Sequence, residues 1–220
     1  MIDYEALRQR MVDHQLRPSE VTDHKLIRAF ETTPRENFVA PADRPFAYGD
    51  KELEVSEGAA RRLMMPPVQI ARMLQALRLD PNSVVMILGC GTGYSAAIAA
   101  QLAGSVVAVE EDDAMVTAGE RRLRDLGIDN AVFVQAKLVE GYPSEAPYDA
   151  ILIDGAIEIL PDALVAQLRA GGPLAVIERQ NAVSRAMLYE RVGTEAAKWP
   201  LFEAWAAILP GFEKKPEFVF

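Results

Sequence analysis

A chain of 220 residues, 50% of them hydrophobic and 25% charged, has the balance of a folded globular protein with one sizeable core, which excludes a disordered or low-complexity class. Its net charge of −9 sets up a repulsive field for phosphate backbones and argues against nucleic acid as a partner. No apolar run approaches the ~20 residues of a membrane span, and the start Met1-Ile2-Asp3-Tyr4-Glu5 lacks a signal-peptide pattern, so a cytoplasmic protein with no membrane partner is predicted.

Along the chain, Tyr4 to Leu16 reads as an amphipathic helix with Leu7, Met11 and His14 on one face, and a second helix is predicted from Asp23 to Thr32 with Thr22 as its N-cap. Residues 34–65 read as a long irregular segment: Pro34, Pro41 and Pro45 interrupt any helix, while Phe38, Val39, Phe46 and Tyr48 supply buried anchors. Pro66-Pro67 opens a third helix whose Val68, Ile70, Met73, Leu74 and Leu77 face a core.

From Val84 onward, β-type apolar runs alternate with helices. Strands are predicted at Val84 to Leu88, Val106 to Val109, Val132 to Val134 and Ala150 to Ile153, with helices at Tyr94 to Leu102 and Asp112 to Leu126 between them. Continuous runs such as Ile151-Leu152-Ile153 fit burial on both faces, as in a parallel sheet covered by helices. A short helix after Pro161, a turn at Gly171-Gly172 and a strand from Leu174 to Ile177 follow. Further candidate strands are Met187 to Val192, Trp205 to Leu209 and the apolar tail Glu217 to Phe220. The predicted fold class is α/β: a Rossmann-like, doubly wound, mostly parallel sheet with an N-terminal helical prelude. It is expected as a single domain over 1–220, with helices and loop in 1–80 and the α/β core in 81–220.

The strongest local motif is the strand ending in Leu88 that runs through Gly89, Cys90, Gly91, Thr92 and Gly93 into Tyr94. Glycines there let backbone turn tightly and approach a ligand, and the start of the next helix offers free N–H groups. The third glycine follows after one residue rather than two, which departs from the dinucleotide Gly-x-Gly-x-x-Gly fingerprint and disfavours NAD. Glu110 ends the next strand, where a carboxylate can accept hydrogen bonds from both hydroxyls of a ribose. Cys90 is the only cysteine, and His14 and His24 have no partner at ligand spacing, so no disulfide and no metal site are expected.

Several further segments carry a family resemblance. Met11-Val12-Asp13-His14-Gln15-Leu16, Pro34-Arg35-Glu36-Asn37-Phe38-Val39 and Ala47-Tyr48-Gly49-Asp50 resemble motifs of the protein-L-isoaspartate O-methyltransferase family. Gly141-Tyr142-Pro143, Tyr148-Asp149-Ala150-Ile151, Pro161, Gln167-Leu168 and Gly171-Gly172 then follow in its order. That family repairs isomerised aspartyl sites by methylating their carboxylate from S-adenosylmethionine. The resemblance implies an S-adenosylmethionine cofactor held by Gly89, Cys90, Gly91, Thr92, Gly93 and Tyr94, with its ribose at Glu110 and its adenine near Lys137 and Leu138. It implies an isoaspartyl protein or peptide, or another carboxylate, as substrate.

The departures from the family pattern fall at the chemistry. Where the family carries a Gly-x-Thr-Ile-Ser-x-Pro type loop, this chain reads Gly58-Ala59-Ala60-Arg61-Arg62-Leu63-Met64-Met65-Pro66-Pro67, which places Met65 at the serine. Methionine cannot donate a hydrogen bond to a carboxylate. Ile87 stands where an acid is usual, and Ala136-Lys137-Leu138 replaces a Gly-Asp-Gly turn, so a donor replaces the acceptor expected for the adenine amine. No catalytic residue is therefore assigned.

Arg61 and Arg62 read either as a carboxylate clamp or as solvated loop charges, Asp154 either as a cleft acid or as a turn residue, and Cys90 as a reactive thiol or a buried filler. Two functions follow. One is a divergent methyltransferase with weak or lost isoaspartyl activity; the other is a non-catalytic binding or regulatory protein that keeps the scaffold.

Overall fold

In the computed structural model, which describes residues 2–56, 61–180 and 183–214, the apolar runs of the second half pair into a seven-stranded sheet. Its strands are β3 (Val84–Leu88), β4 (Ser105–Glu110), β5 (Ala131–Gln135), β6 (Ala150–Ile157), β7 (Pro173–Gln180), β8 (Val183–Val192) and β9 (Glu195–Glu203). The order is β5-β4-β3-β6-β7-β8-β9, parallel from β5 to β7, with β8 and β9 added antiparallel as a meander. Chain direction along the sheet reverses at β3, which has β4 on one side and β6 on the other. The carboxyl end of such a strand is where open α/β sheets bind ligands.

The expected period of two is visible in burial. Val85, Ile87, Val106, Ala108 and Leu152 join one apolar layer, whereas Met86, Leu88, Val107, Val109, Ile151 and Ile153 join the other. The first layer is closed by helices α1 (Tyr4–Met11), α2 (His24–Thr32), α3 (Pro67–Leu77), α4 (Tyr94–Ala99) and α5 (Asp113–Asp125), which contribute Met11, Phe30, Ile70, Ile98 and Leu123. The second is closed by α6 (Asp162–Ala166), through Leu164, and by the segment carrying Leu209 and Phe212.

Several boundaries differ from the sequence reading. α1 ends at Met11 and continues as a π-helical turn over Val12–Leu16, which leaves His14 exposed rather than on the buried face. The N-cap of α2 is Asp23, whose carboxylate accepts from the Lys25 and Leu26 N–H groups; Thr22 lies one residue too early. Asp112 likewise caps α5 through the Met115 N–H. Trp205 to Leu209 is not a strand. β9 runs earlier, and the later segment makes a single bridge between Ile208 and Ala156 while Trp205 stays exposed. The predicted tail strand lies outside the described residues. Within 34–65, β1 (Leu53–Glu54) pairs antiparallel with β2 (Leu63–Met64), aligning Leu53 with Met64 and Glu54 with Leu63.

α5 can lie close to β5 only because residue 119 has no side chain. A Cβ there would fall 2.2 Å from Cζ of the buried Phe133 ring. Gly119→Ala gains about 1 kcal/mol of helix propensity, but overpacking a filled layer costs about 1–3 kcal/mol or more. At that separation the clash wins. The expected result is a lower urea midpoint with an unchanged slope; a midpoint at or above that of the parent would show that the ring moves aside freely.

Candidate functional site

β3 ends directly in the glycine loop, and the loop is held against β4 by its own backbone. Gly89 N–H donates to the Val109 carbonyl at 3.0 Å, and Gly91 N–H donates to Glu110 Oε2 at 3.1 Å. Gly89 and Gly91 have φ of 74° and 54°, a region a side chain enters only with strain. The loop and the acid at the end of the neighbouring strand are thus brought together.

The acid is not free to receive a ligand. Arg62, which precedes β2, reaches across and binds it in a fork: Nε lies 3.1 Å from Oε2 and Nη2 lies 2.5 Å from Oε1. The side chains are 4% and 0% exposed. Glu111 N–H takes a further position on Oε1 at 2.9 Å. Both carboxylate oxygens are therefore engaged by protein donors in a site closed to solvent. Arg62 has the fork geometry of a carboxylate clamp, but the carboxylate it grips is Glu110 of the same chain and not that of an acidic substrate or ligand. Arg61 is the solvated one of the pair, meeting Glu54 at 3.2 Å with both side chains exposed.

Arg62 and Val55 also fill the space over the loop. A Cβ on Gly91 would sit 3.0 Å from Arg62 Cγ and 3.0 Å from Val55 Cγ2. On the other layer, a Cβ on Gly89 would meet Leu209 at 2.8 Å and Leu138 at 3.5 Å, and one on Gly155 would meet Leu209 at 2.6 Å. Leu138 and Leu209 are buried. Lys137, by contrast, is exposed and paired with Glu140 at 3.0 Å, so its charge is turned to solvent.

The remaining candidates sit behind the loop. Thr92 Oγ1 donates to the Phe38 carbonyl at 2.6 Å and so ties the loop to the N-terminal segment. Tyr94 is buried between Phe30 and Phe38 in edge-on contacts at 6.0 and 5.4 Å, with the Arg35 guanidinium 4.7 Å from its ring centre. Arg35 donates from Nε to the Ala47 carbonyl and from Nη2 to the Met65 carbonyl, each at 2.8 Å. Met65 itself is fully buried. Cys90 is buried, and burial followed by the charges of Glu110 and Asp154 pushes its thiol well above the usual range, which makes it a filler rather than a nucleophile. Ile87 is a core residue of β3.

Asp154 lies inside β6, 4% exposed, and accepts a short hydrogen bond from the Ser95 hydroxyl through Oδ2; Oδ1 has no partner among the described residues. Burial raises its pKa from 3.8 to about 6, against the lowering effects of Ser95, Arg35 and Arg62. The fold therefore favours the protonated acid. Its contribution to stability is fully present below about 3.8 and is lost as pH rises through about 6. Asp154→Asn keeps an acceptor for Ser95 without the charge. Its stability relative to the parent is expected to rise by about 1–3 kcal/mol between pH 4 and pH 8, read by urea unfolding at both. A difference independent of pH would show that Asp154 is solvated.

Two features of the site escaped the sequence. Arg62 and Glu110 are distant in the chain and no local pattern links them, and Leu209 was read as part of a strand. Among the described residues there is no cluster of His, Cys, Asp or Glu able to hold a metal, and no helix is long and apolar enough to cross a membrane. In the placement expected from the sequence, a ribose takes Glu110 as acceptor and needs open space before Gly89 and Gly91. With Arg62 and Leu209 where they are, the residues do not fit an adenosyl group in this conformation.

Residues 7–198 match the profile of the Protein-L-isoaspartate(D-aspartate) O-methyltransferase (PCMT) family. A protein-L-isoaspartate O-methyltransferase of Herpetosiphon aurantiacus is 38% identical over 171 residues, 78% of this chain and 75% of that one. A protein-L-isoaspartate O-methyltransferase 1 of Rhodopseudomonas palustris is 32% identical over 219 residues, 94% and 88% of the two chains. A solved protein-L-isoaspartate O-methyltransferase superposes with a TM-score of 0.82 at 25% identity, over 93% of this chain and 66% of that chain. A Plasmodium falciparum beta-aspartate methyltransferase, solved in complex with S-adenosyl-L-homocysteine, shares the fold with a TM-score of 0.76 at 18% identity, over 95% and 99% of the chains. With a family profile spanning most of its length and relatives above 30% identity along the same stretch, this chain belongs to the S-adenosylmethionine-dependent protein-L-isoaspartate O-methyltransferase family.

Proposed function

We propose that this chain is a divergent family member in which S-adenosylmethionine-dependent methyl transfer to isoaspartyl carboxylates is weak or lost. The observation that carries the reading is Arg62 seated on Glu110, because it denies a ribose its acceptor in the conformation the sequence folds to. The 89–94 loop with Glu110, Lys137 and Leu138 is then the inherited cofactor cradle, and isoaspartyl proteins in the cytoplasm are the inherited partners. The acidic net charge of −9 supports a protein partner over nucleic acid.

Radiolabelled methyl transfer to an isoaspartyl peptide, run beside an active family member, tests the proposal; a comparable rate overturns it. A second reading, a non-catalytic binding or regulatory protein on the same scaffold, draws support from Leu209 and Leu138 packed before Gly89. The two separate on cofactor affinity. The first keeps measurable binding of S-adenosyl-L-homocysteine, the second does not.

A further inference from the structure

The geometry points to Arg62 as an internal competitor for the cofactor's ribose subsite, so that an adenosyl ligand enters only when the Arg62 guanidinium has left Glu110. This rests on the reading of Glu110 as the inherited ribose acceptor. The chemistry of the exchange is unequal. A ribose offers two neutral hydroxyl donors, whereas Arg62 offers two charge-assisted N–H bonds in a planar fork that matches a carboxylate. The pair is 4% and 0% exposed, so water does little to weaken it. Displacing Arg62 also strips the buried Glu110 of its counter-charge.

Val55 and Ser56 hold Arg62 in this position. Arg62 is fixed on both sides of its backbone: its carbonyl accepts from Val55 N–H at 2.9 Å, and its N–H donates to Ser56 Oγ at 2.8 Å. The Arg62 stem and Val55 then meet the face of Gly91, as a ligand approaching the glycine loop would. Neither closed nor open state is a new site. Each is a choice between two occupants of one carboxylate, and the apparent affinity of the ligand falls by the fraction of molecules in which Arg62 has let go.

The test is calorimetric titration with S-adenosyl-L-homocysteine of the full chain and of Arg62→Gln, which keeps a polar side chain too short and uncharged to grip Glu110 as a fork. Arg61→Gln, an exposed neighbour paired with Glu54, is the control. The expected result is that Arg62→Gln binds at least about tenfold more tightly than the parent while Arg61→Gln binds as the parent does. Equal or weaker binding by Arg62→Gln, or no binding by either protein, overturns the latch.

Should Arg62→Gln fail to fold, the parent protein alone decides. Saturating ligand is then expected to speed tryptic cleavage after Arg62, because the guanidinium becomes accessible, and an unchanged cleavage rate overturns the proposal. Methyl transfer is not part of this measurement. Fast transfer by the parent would sink the functional reading alone, and slow transfer with an unchanged affinity ratio would sink the latch alone.

Discussion

Glu110→Ala is expected to cost about 3–5 kcal/mol of folding stability, the range found when one partner of a buried ion pair is removed. The figure applies because Arg62 is 4% exposed and its Nε and Nη2 would face an emptied site rather than water. Two backbone donors, Gly91 N–H and Glu111 N–H, lose their acceptor in the same substitution. A residue that served only to hold a ligand would behave differently, since its loss in the ligand-free protein relieves rather than creates an unpaired charge. The measurement is urea unfolding of the ligand-free protein. Arg62→Met in the same background removes the stranded guanidinium while keeping an apolar stem against Gly91 and Val55, so the double variant is expected to recover part of the loss. A single-variant loss below about 1 kcal/mol, or a double variant less stable than Glu110→Ala, would mean that the carboxylate and guanidinium are separately solvated.

The contrast between what the sequence disclosed and what it hid has a physical basis. β3, β4 and β6 were legible because two-sided burial leaves an uninterrupted apolar run, and the glycine loop was legible because tight backbone needs residues without a side chain. Glu110 was singled out by its place at the end of the strand beside that loop, and the strand does end there. What it touches was not legible, since Arg62 arrives from beside β2, whose pairing depends on register between 53–54 and 63–64 rather than on any run of residues. The meander strand β9 was missed for a related reason. It is an edge strand, carries Lys198 and Pro200, and is mostly solvent-facing, so it lacks the apolar signature that marked the buried strands. Trp205 to Leu209 has that signature because Ala206 and Leu209 bury themselves over the sheet's end, not because the segment pairs along its length.

Methyl transfer to an isoaspartyl peptide at saturating donor is expected at no more than about a hundredth of the rate of an active family member assayed alongside, and below saturation a second, independent effect lowers it further. Transfer depends on holding a carboxylate oxygen in line with the donor methyl, and a misplacement of about 1 Å costs on the order of a hundredfold. The resemblance places Met65 at the family's serine, and Met65 is fully buried with its carbonyl taken by Arg35 at 2.8 Å. A hydroxyl placed there by Met65→Ser would face the core, so that substitution alone is expected to leave the rate unchanged. The second effect is the Arg62 fork on Glu110, which lowers the fraction of protein able to accept the donor before any positioning matters. Saturating donor offsets the second effect but not the first. Raising donor concentration should therefore lift the rate only to the low ceiling set by positioning. A rate that climbs with donor to match the active member would show that positioning is intact and that donor access alone had been limiting.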